Sequence, residues 1–213
     1  MDFCVKFSDL DSYVALLGDP QSWTKIQTDP IDADRFCEAC KDRLASRANR
    51  FPPLRCITVR RFFSRIQDTC LTRPVKVKLH PFQRGYGYML DRGEIHILSD
   101  LLFRSTQGKF IAVLLHETAH LVLSQGASYH RLLQLDLAFA ETYLKDRHDE
   151  CLKAITPVEF FAQQIANRWM EALVARLPQG KLRSCLHREL AMMDKKLSSA
   201  IETLNKTYTN TQI

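Results

Sequence analysis

Residues 110–124, FIAVLLHETAHLVLS, set His116, Glu117 and His120 in an otherwise apolar run. The string reads H-E-x-x-H. On a helix, positions i and i+4 share a face, so both imidazoles can reach one metal ion. Glu117 follows the first imidazole and falls beside that ion, where a carboxylate can take a proton from water. The flanking residues Ile111, Val113, Leu114, Leu115, Leu121, Val122 and Leu123 predict a helix buried nearly all round. A core helix with two satisfied histidines is the competing account. Burying two imidazoles and a carboxylate without partners is costly, and metal ligation removes that cost.

Upstream of this helix the pattern changes period. Pro74–Leu79 alternates apolar and polar residues, the mark of a half-buried strand. Residues 85–90, GYGYML, suit a second strand. Residues 91–93 suit a turn, and Glu94–Leu98 suits a third strand with Ile95 and Ile97 on one face. A small antiparallel three-stranded sheet is therefore expected before the H-E-x-x-H helix. Helices are predicted over Asp11–Leu17, Asp32–Arg47 and Thr58–Cys70, with Phe51-Pro52-Pro53 as a break. Downstream, helices are expected over His130–Leu144, from Pro157 to about Leu177, and over Ser184–Asn205. The last carries Leu186, Leu190, Met193, Leu197, Ile201 and Leu204 on one stripe. Pro157 suits a first helical turn, where its missing N–H costs nothing. Thr28-Asp29-Pro30 and Lys145–Thr156 read as loops.

The chain has 213 residues, 46% apolar and 25% charged, which suits one folded domain, or one domain with a helical appendage, and the last helix is expected to pack back on the domain. Its net charge of +6 is unevenly spread: residues 1–34 are acidic, and residues 41–92 are dense in Lys and Arg. That basic block could meet nucleic acid, but no nucleic-acid-binding signature accompanies it, which favours a solvated face. The seven cysteines are an odd number, and Cys37 and Cys40 sit on a predicted helix without a second pair. This spacing fits a reducing compartment better than a disulfide framework. A start without a signal-peptide pattern, and the lack of an apolar run of about 20 residues, lead to the expectation of a cytoplasmic chain with no membrane segment.

A catalytic zinc site needs a third protein ligand. The downstream candidates are His130, Glu141, His148, Glu150 and Glu159. The arrangement H-E-x-x-H-x-x-G-x-x-H is excluded, because Leu123 and Gly126 stand where it needs Gly and His. His130, ten residues past His120, would suit the SprT-like DNA-associated proteases. Their usual His-Gly pair is absent, since Arg131 follows. Glu159 opens a helix whose Ala162 and Ala166 share its face, and these small residues allow close approach to the metal helix. Glu159 and His130 both remain open on the residues alone.

The pattern E-x-x-A-x-x-x-A resembles the second helix of gluzincins, specifically the ImmA/IrrE family of small metallopeptidases. The resemblance covers roughly residues 32–177 and includes the order of elements. It implies an α+β, mainly helical, zincin-like domain over 32–177, with an N-terminal arm over 1–31 and a C-terminal helix and tail over 178–213. It implies Zn²⁺ held by His116, His120 and Glu159, with Glu117 as general base. It also implies a substrate peptide added as a strand to Glu94–Leu98, and a protein or peptide substrate such as a transcriptional regulator. Gln163 stands where that family often has Asn. An oxyanion donor is expected from Tyr129 or His130, on the segment following the metal helix. The alternative to a peptidase is a zinc-stabilised binding protein that cleaves nothing.

Overall fold

The computed structural model describes residues 9–23, 32–91, 93–144 and 150–209. It is an α+β fold, mostly helical, with one three-stranded sheet. In chain order the elements begin with α1 (Leu10–Leu17), α2 (Pro20–Trp23), α3 (Ala33–Leu44) and α4 (Pro52–Cys70). The strands follow as β1 (Lys76–His80), β2 (Gly87–Asp91) and β3 (Glu94–Leu98). Then come α5 (Gln107–Gln125), α6 (Tyr129–Tyr143), α7 (Glu150–Lys153), α8 (Pro157–Arg176) and α9 (Lys181–Thr209).

The expected antiparallel sheet is instead mixed, in the order β1-β3-β2. β3 pairs antiparallel with β2 and parallel with β1. Alternation in sequence tells which residues share a face but not which strand lies beside which. Residues 81–93, which include β2, make the crossover that the parallel pair requires. Ile95 and Ile97 have no exposure and join the core, as their alternation implies. His96 on the opposite face is buried too, stacked between the rings of His80 and Tyr88. Because β3 is central, both its edges are paired and it cannot accept a substrate strand. The strand edge beside α5 belongs to β2.

Two helix boundaries also differ from expectation. Pro52 and Pro53 open α4 at its first two positions instead of separating helices, since neither position needs a backbone N–H partner. α9 starts at Lys181 and is longer than its apolar stripe. The expected loop over Lys145–Thr156 contains the short α7; its residues 145–149, and the loop at 28–30, lie outside the described residues. Cys37 and Cys40 on α3 are buried, and their thiols donate to the Trp169 and Phe36 carbonyls at 3.3 and 3.0 Å. No helix among the described residues is long and apolar enough to cross a membrane.

α1 belongs to the same core as the rest. Its Tyr13 has no exposure, donates to the Ile155 carbonyl at 2.6 Å, and meets Phe139 and Phe160 edge-on. α3 docks through Phe36, stacked on Trp169 of α8 at 4.0 Å.

The outer faces of α3 and α4 were expected to carry their positive charge, and Arg55 departs from this. It is only 2% exposed, and its guanidinium lies 4.9 Å from the Phe110 ring. Nε donates to the Asn49 carbonyl at 2.8 Å. Nη1 serves the Leu101 carbonyl and Ser105 Oγ, at 3.1 and 3.0 Å. Those acceptors lie in and just after the π turn Asp100–Arg104, which links β3 to α5, so Arg55 fixes the entry to the metal-motif helix. Arg55→Ala removes the donor to the buried Asn49 carbonyl and the packing over Phe110, while Ser105 Oγ still serves the Leu101 carbonyl, and is expected to cost about 2–4 kcal/mol. Urea unfolding measures this, and a loss under about 1 kcal/mol would refute the role. Arg55→Lys should recover only part, because an ammonium cannot reproduce the planar fork.

Candidate metal centre

α5 begins with Thr106, whose Oγ1 accepts from the Lys109 N–H at 3.1 Å, and then runs through the core with its apolar residues buried on every side. α5 packs most extensively against α8. Ala162 and Ala166 of α8 are wholly buried, and helical spacing puts them on the face of Glu159. The first turn of α8 is held from outside itself. Asp136 on α6 accepts from the Val158 N–H at 2.9 Å and hydrogen-bonds the Thr156 side chain. This caps the turn that carries Glu159.

The result is a convergence of three donors. His116 Nε2 and His120 Nε2 are 3.1 Å apart. Glu159 Oε2 lies 3.2 Å from His116 Nε2, and Glu159 Oε1 lies 3.3 Å from His120 Nε2. This group could hold a metal ion. The two rings meet edge to face at 4.6 Å. His116 Nδ1 is buried without a hydrogen-bond partner, so that ring is oriented by packing and not by an acceptor on its far side. His120 is 7% exposed, whereas the Glu159 side chain, 43% exposed, stands at the open side.

Electrostatics separate the two carboxylates. Burial pushes Glu117 above the ordinary carboxylate range, against the nearby imidazoles, and Glu159 adds to the rise. Burial also opposes ionisation of Glu159, but hydrogen bonds from His116 and His120 outweigh it and hold the carboxyl well below that range. For His120, burial disfavours the cation. The Glu159 hydrogen bond and the charges of Glu159, Glu117 and Asp136 nevertheless raise its pKa overall. One acid is thus held ionised against the histidines, while the other is buried beside them with greater affinity for a proton.

His116 and Glu159 of the trio, with Glu117, line a cleft of about 240 Å³. Tyr86 and Gly87 form one side of it, and α5 lines it through Lys109, Val113, His116 and Glu117. Gln163 of α8 and Met193, Lys196 and Leu197 of α9 complete the opposite side. Gly87 is required by closeness: a Cβ there would lie 3.1 Å from the His96 carbonyl and 3.4 Å from Glu117 Cγ. The Leu98 N–H donates to the Tyr86 carbonyl, so Tyr86 faces β3. The alternation of an antiparallel pair then turns the Gly87 N–H and C=O toward the free edge.

Other residues suggested by the sequence lie elsewhere. His130 is exposed on α6, with Nε2 at 3.2 Å from Gln134 Nε2, and is not in the trio. Tyr129 is buried at the start of α6; neither it nor His130 lines the cleft. Glu141 is exposed on α6, and His148 lies outside the described residues. Sequence reasoning missed Asp136, Tyr86, Lys109 and Lys196. Only Gly87 carried a signal, as a glycine inside a strand marks close backbone approach. No protein-family model, no curated protein and no solved structure matches this chain.

Proposed function

We propose that this chain is a zinc-dependent metallopeptidase of the gluzincin type, similar in its site to the ImmA/IrrE family. The observation that carries the reading is the convergence of His116, His120 and Glu159, whose ligand atoms all lie within 4.8 Å of one another, with buried Glu117 beside them. The two imidazole nitrogens are 3.1 Å apart, close to the roughly 3.3 Å between donors on tetrahedral zinc at about 2.0 Å, and each faces one oxygen of Glu159. Two imidazoles and one carboxylate are also a donor set found at catalytic zinc.

When bound, zinc supplies Lewis acidity, which makes water acidic enough to ionise near neutral pH and polarises a carbonyl. Glu117 takes the water proton and later delivers it to the leaving amine. The net reaction consumes one water, breaks the peptide C–N bond and forms a C–O bond. Gly87 offers its outward N–H and C=O to the substrate backbone, so an extended peptide adds to β2 and lies across Glu117. The β2 edge takes the role first assigned to Glu94–Leu98.

The test is metal content together with hydrolysis of a degenerate quenched-fluorescent peptide library. One zinc per chain is expected, with hydrolysis lost on chelation and restored by zinc. A chain that binds one zinc yet cleaves no peptide in the library would make the site a structural metal centre and end the peptidase reading.

A further inference from the structure

We propose that the cleft selects substrates bearing a carboxylate, received by Lys109 from α5 and Lys196 from α9. This rests on the peptidase reading and names the substrate class of the same site. The acids lining the cleft, Glu117 and Glu159, are both committed to the reaction centre. The lysines that line it stand on two different helices, and no carboxylate among the described residues lies within ion-pair distance of either. Lys109 Nζ sits 5.3 Å from the centre of the Tyr86 ring, on the side where β2 begins. The acid that feels its charge, Glu189, is buried in α9, and burial pushes its carboxyl above the ordinary range.

α9 is a wall of this cleft and not a detached appendage. It crosses α5 at Gly108, where a Cβ would lie 3.2 Å from Glu189 Cγ and 3.3 Å from Cys185 Cβ. It is tied to the Glu159 helix by Gln163, whose Nε2 donates to Met193 Sδ at 3.0 Å. Lys196 lies three residues beyond Met193, close to one helical turn further along the same side of α9.

The helix also gives a distance. Lys109, Val113, His116 and Glu117 share one face of α5. Lys109 is two turns before His116, or about 10 Å along the axis at about 1.5 Å per residue. An extended peptide advances about 3.3 Å per residue, so a carboxylate meeting Lys109 belongs about two to four positions from the scissile bond. An internal Asp or Glu supplies such a group, and so does the carboxyl end of a short chain.

The experiment compares peptides with Asp or Glu at those positions against Asn or Gln counterparts, each with a free or an amidated C-terminus. Two charge pairs, one to half-buried Lys109 and one to exposed Lys196, are expected to favour the acidic peptide in kcat/KM by about five- to tenfold. The advantage should shrink between about 0.05 and 0.5 M salt as screening shortens its reach. K109E/K196E should invert the ratio with zinc content unchanged. Preference lost on amidation alone assigns the carboxylate to the chain end; preference surviving amidation assigns it to a side chain. Hydrolysis with no acid preference, or a preference that survives K109A/K196A, overturns the proposal and leaves the peptidase reading intact. If no peptide is cleaved, the peptidase reading fails by itself. Fluorescence anisotropy of the same peptides on the zinc-loaded chain then decides the proposal, and equal binding of acidic and amide peptides overturns it.

Discussion

Replacing Glu117 by glutamine should lower hydrolysis by about 10²–10⁴-fold, the range for loss of a positioned acid–base group, with zinc content unchanged. The amide has the shape of the carboxylate, so it fits beneath Gly87, where a Cβ would stand 3.4 and 3.5 Å from Glu117 Cγ and Cδ. It cannot take a proton from water. Stability should hold or rise slightly, because the substitution removes a buried ionisable group whose charged form burial disfavours. The measurement is kcat/KM on a cleaved peptide with zinc-loaded protein, alongside metal content and melting temperature. Activity within about threefold of the parent would show that Glu117 is not the base. Loss of zinc with loss of activity would give it a structural role instead.

The legible parts of this molecule were those fixed by local pattern. The apolar setting of His116–His120 required a buried helix, and α5 is one. Pro157 marked the start of the helix that carries Glu159, and Ala162 and Ala166 of that helix are buried. The alternation around Ile95 and Ile97 identified the core face of β3.

What the sequence concealed depends on partners distant along the chain. The position of β3 between β1 and β2 is a matter of pairing, which side-chain alternation does not encode. Arg55 looks like its basic neighbours on α4 until the carbonyls of the π turn surround it. Asp136 shows no cap signal because it serves α8 from another helix. His130 was attractive for its spacing past His120, but the start of α6 leaves it exposed. Lys196 lies more than seventy residues past the metal motif. Its helix reaches the cleft through long-range packing, including the crossing at Gly108 and the Gln163–Met193 contact.

Replacing Glu159 by alanine should remove most of the zinc affinity and, with it, the hydrolysis. Glu159 is the ligand candidate that α8 contributes, so its loss leaves two imidazoles on one helix face, and no other group of metal-ligating side chains completes the site among the described residues. A structural ion pair with the histidines would also be broken by this substitution, so metal content alone does not separate the two roles. The response to zinc does. The Glu159 side chain is 43% exposed while His120 is buried, so the pair contributes modestly to folding, and the metal-free variant should melt only somewhat below the metal-free parent. Zinc at about 1,000 times its Kd should stabilise the parent by about 4 kcal/mol through mass action. The same zinc should hardly move the variant. Melting curves of both chains with and without zinc give the answer. An equal zinc-induced shift in the two would remove Glu159 from the metal and return the third position to the other donors. A drop in the metal-free variant as large as in the zinc-loaded one would make the carboxylate a structural partner of the histidines rather than a ligand.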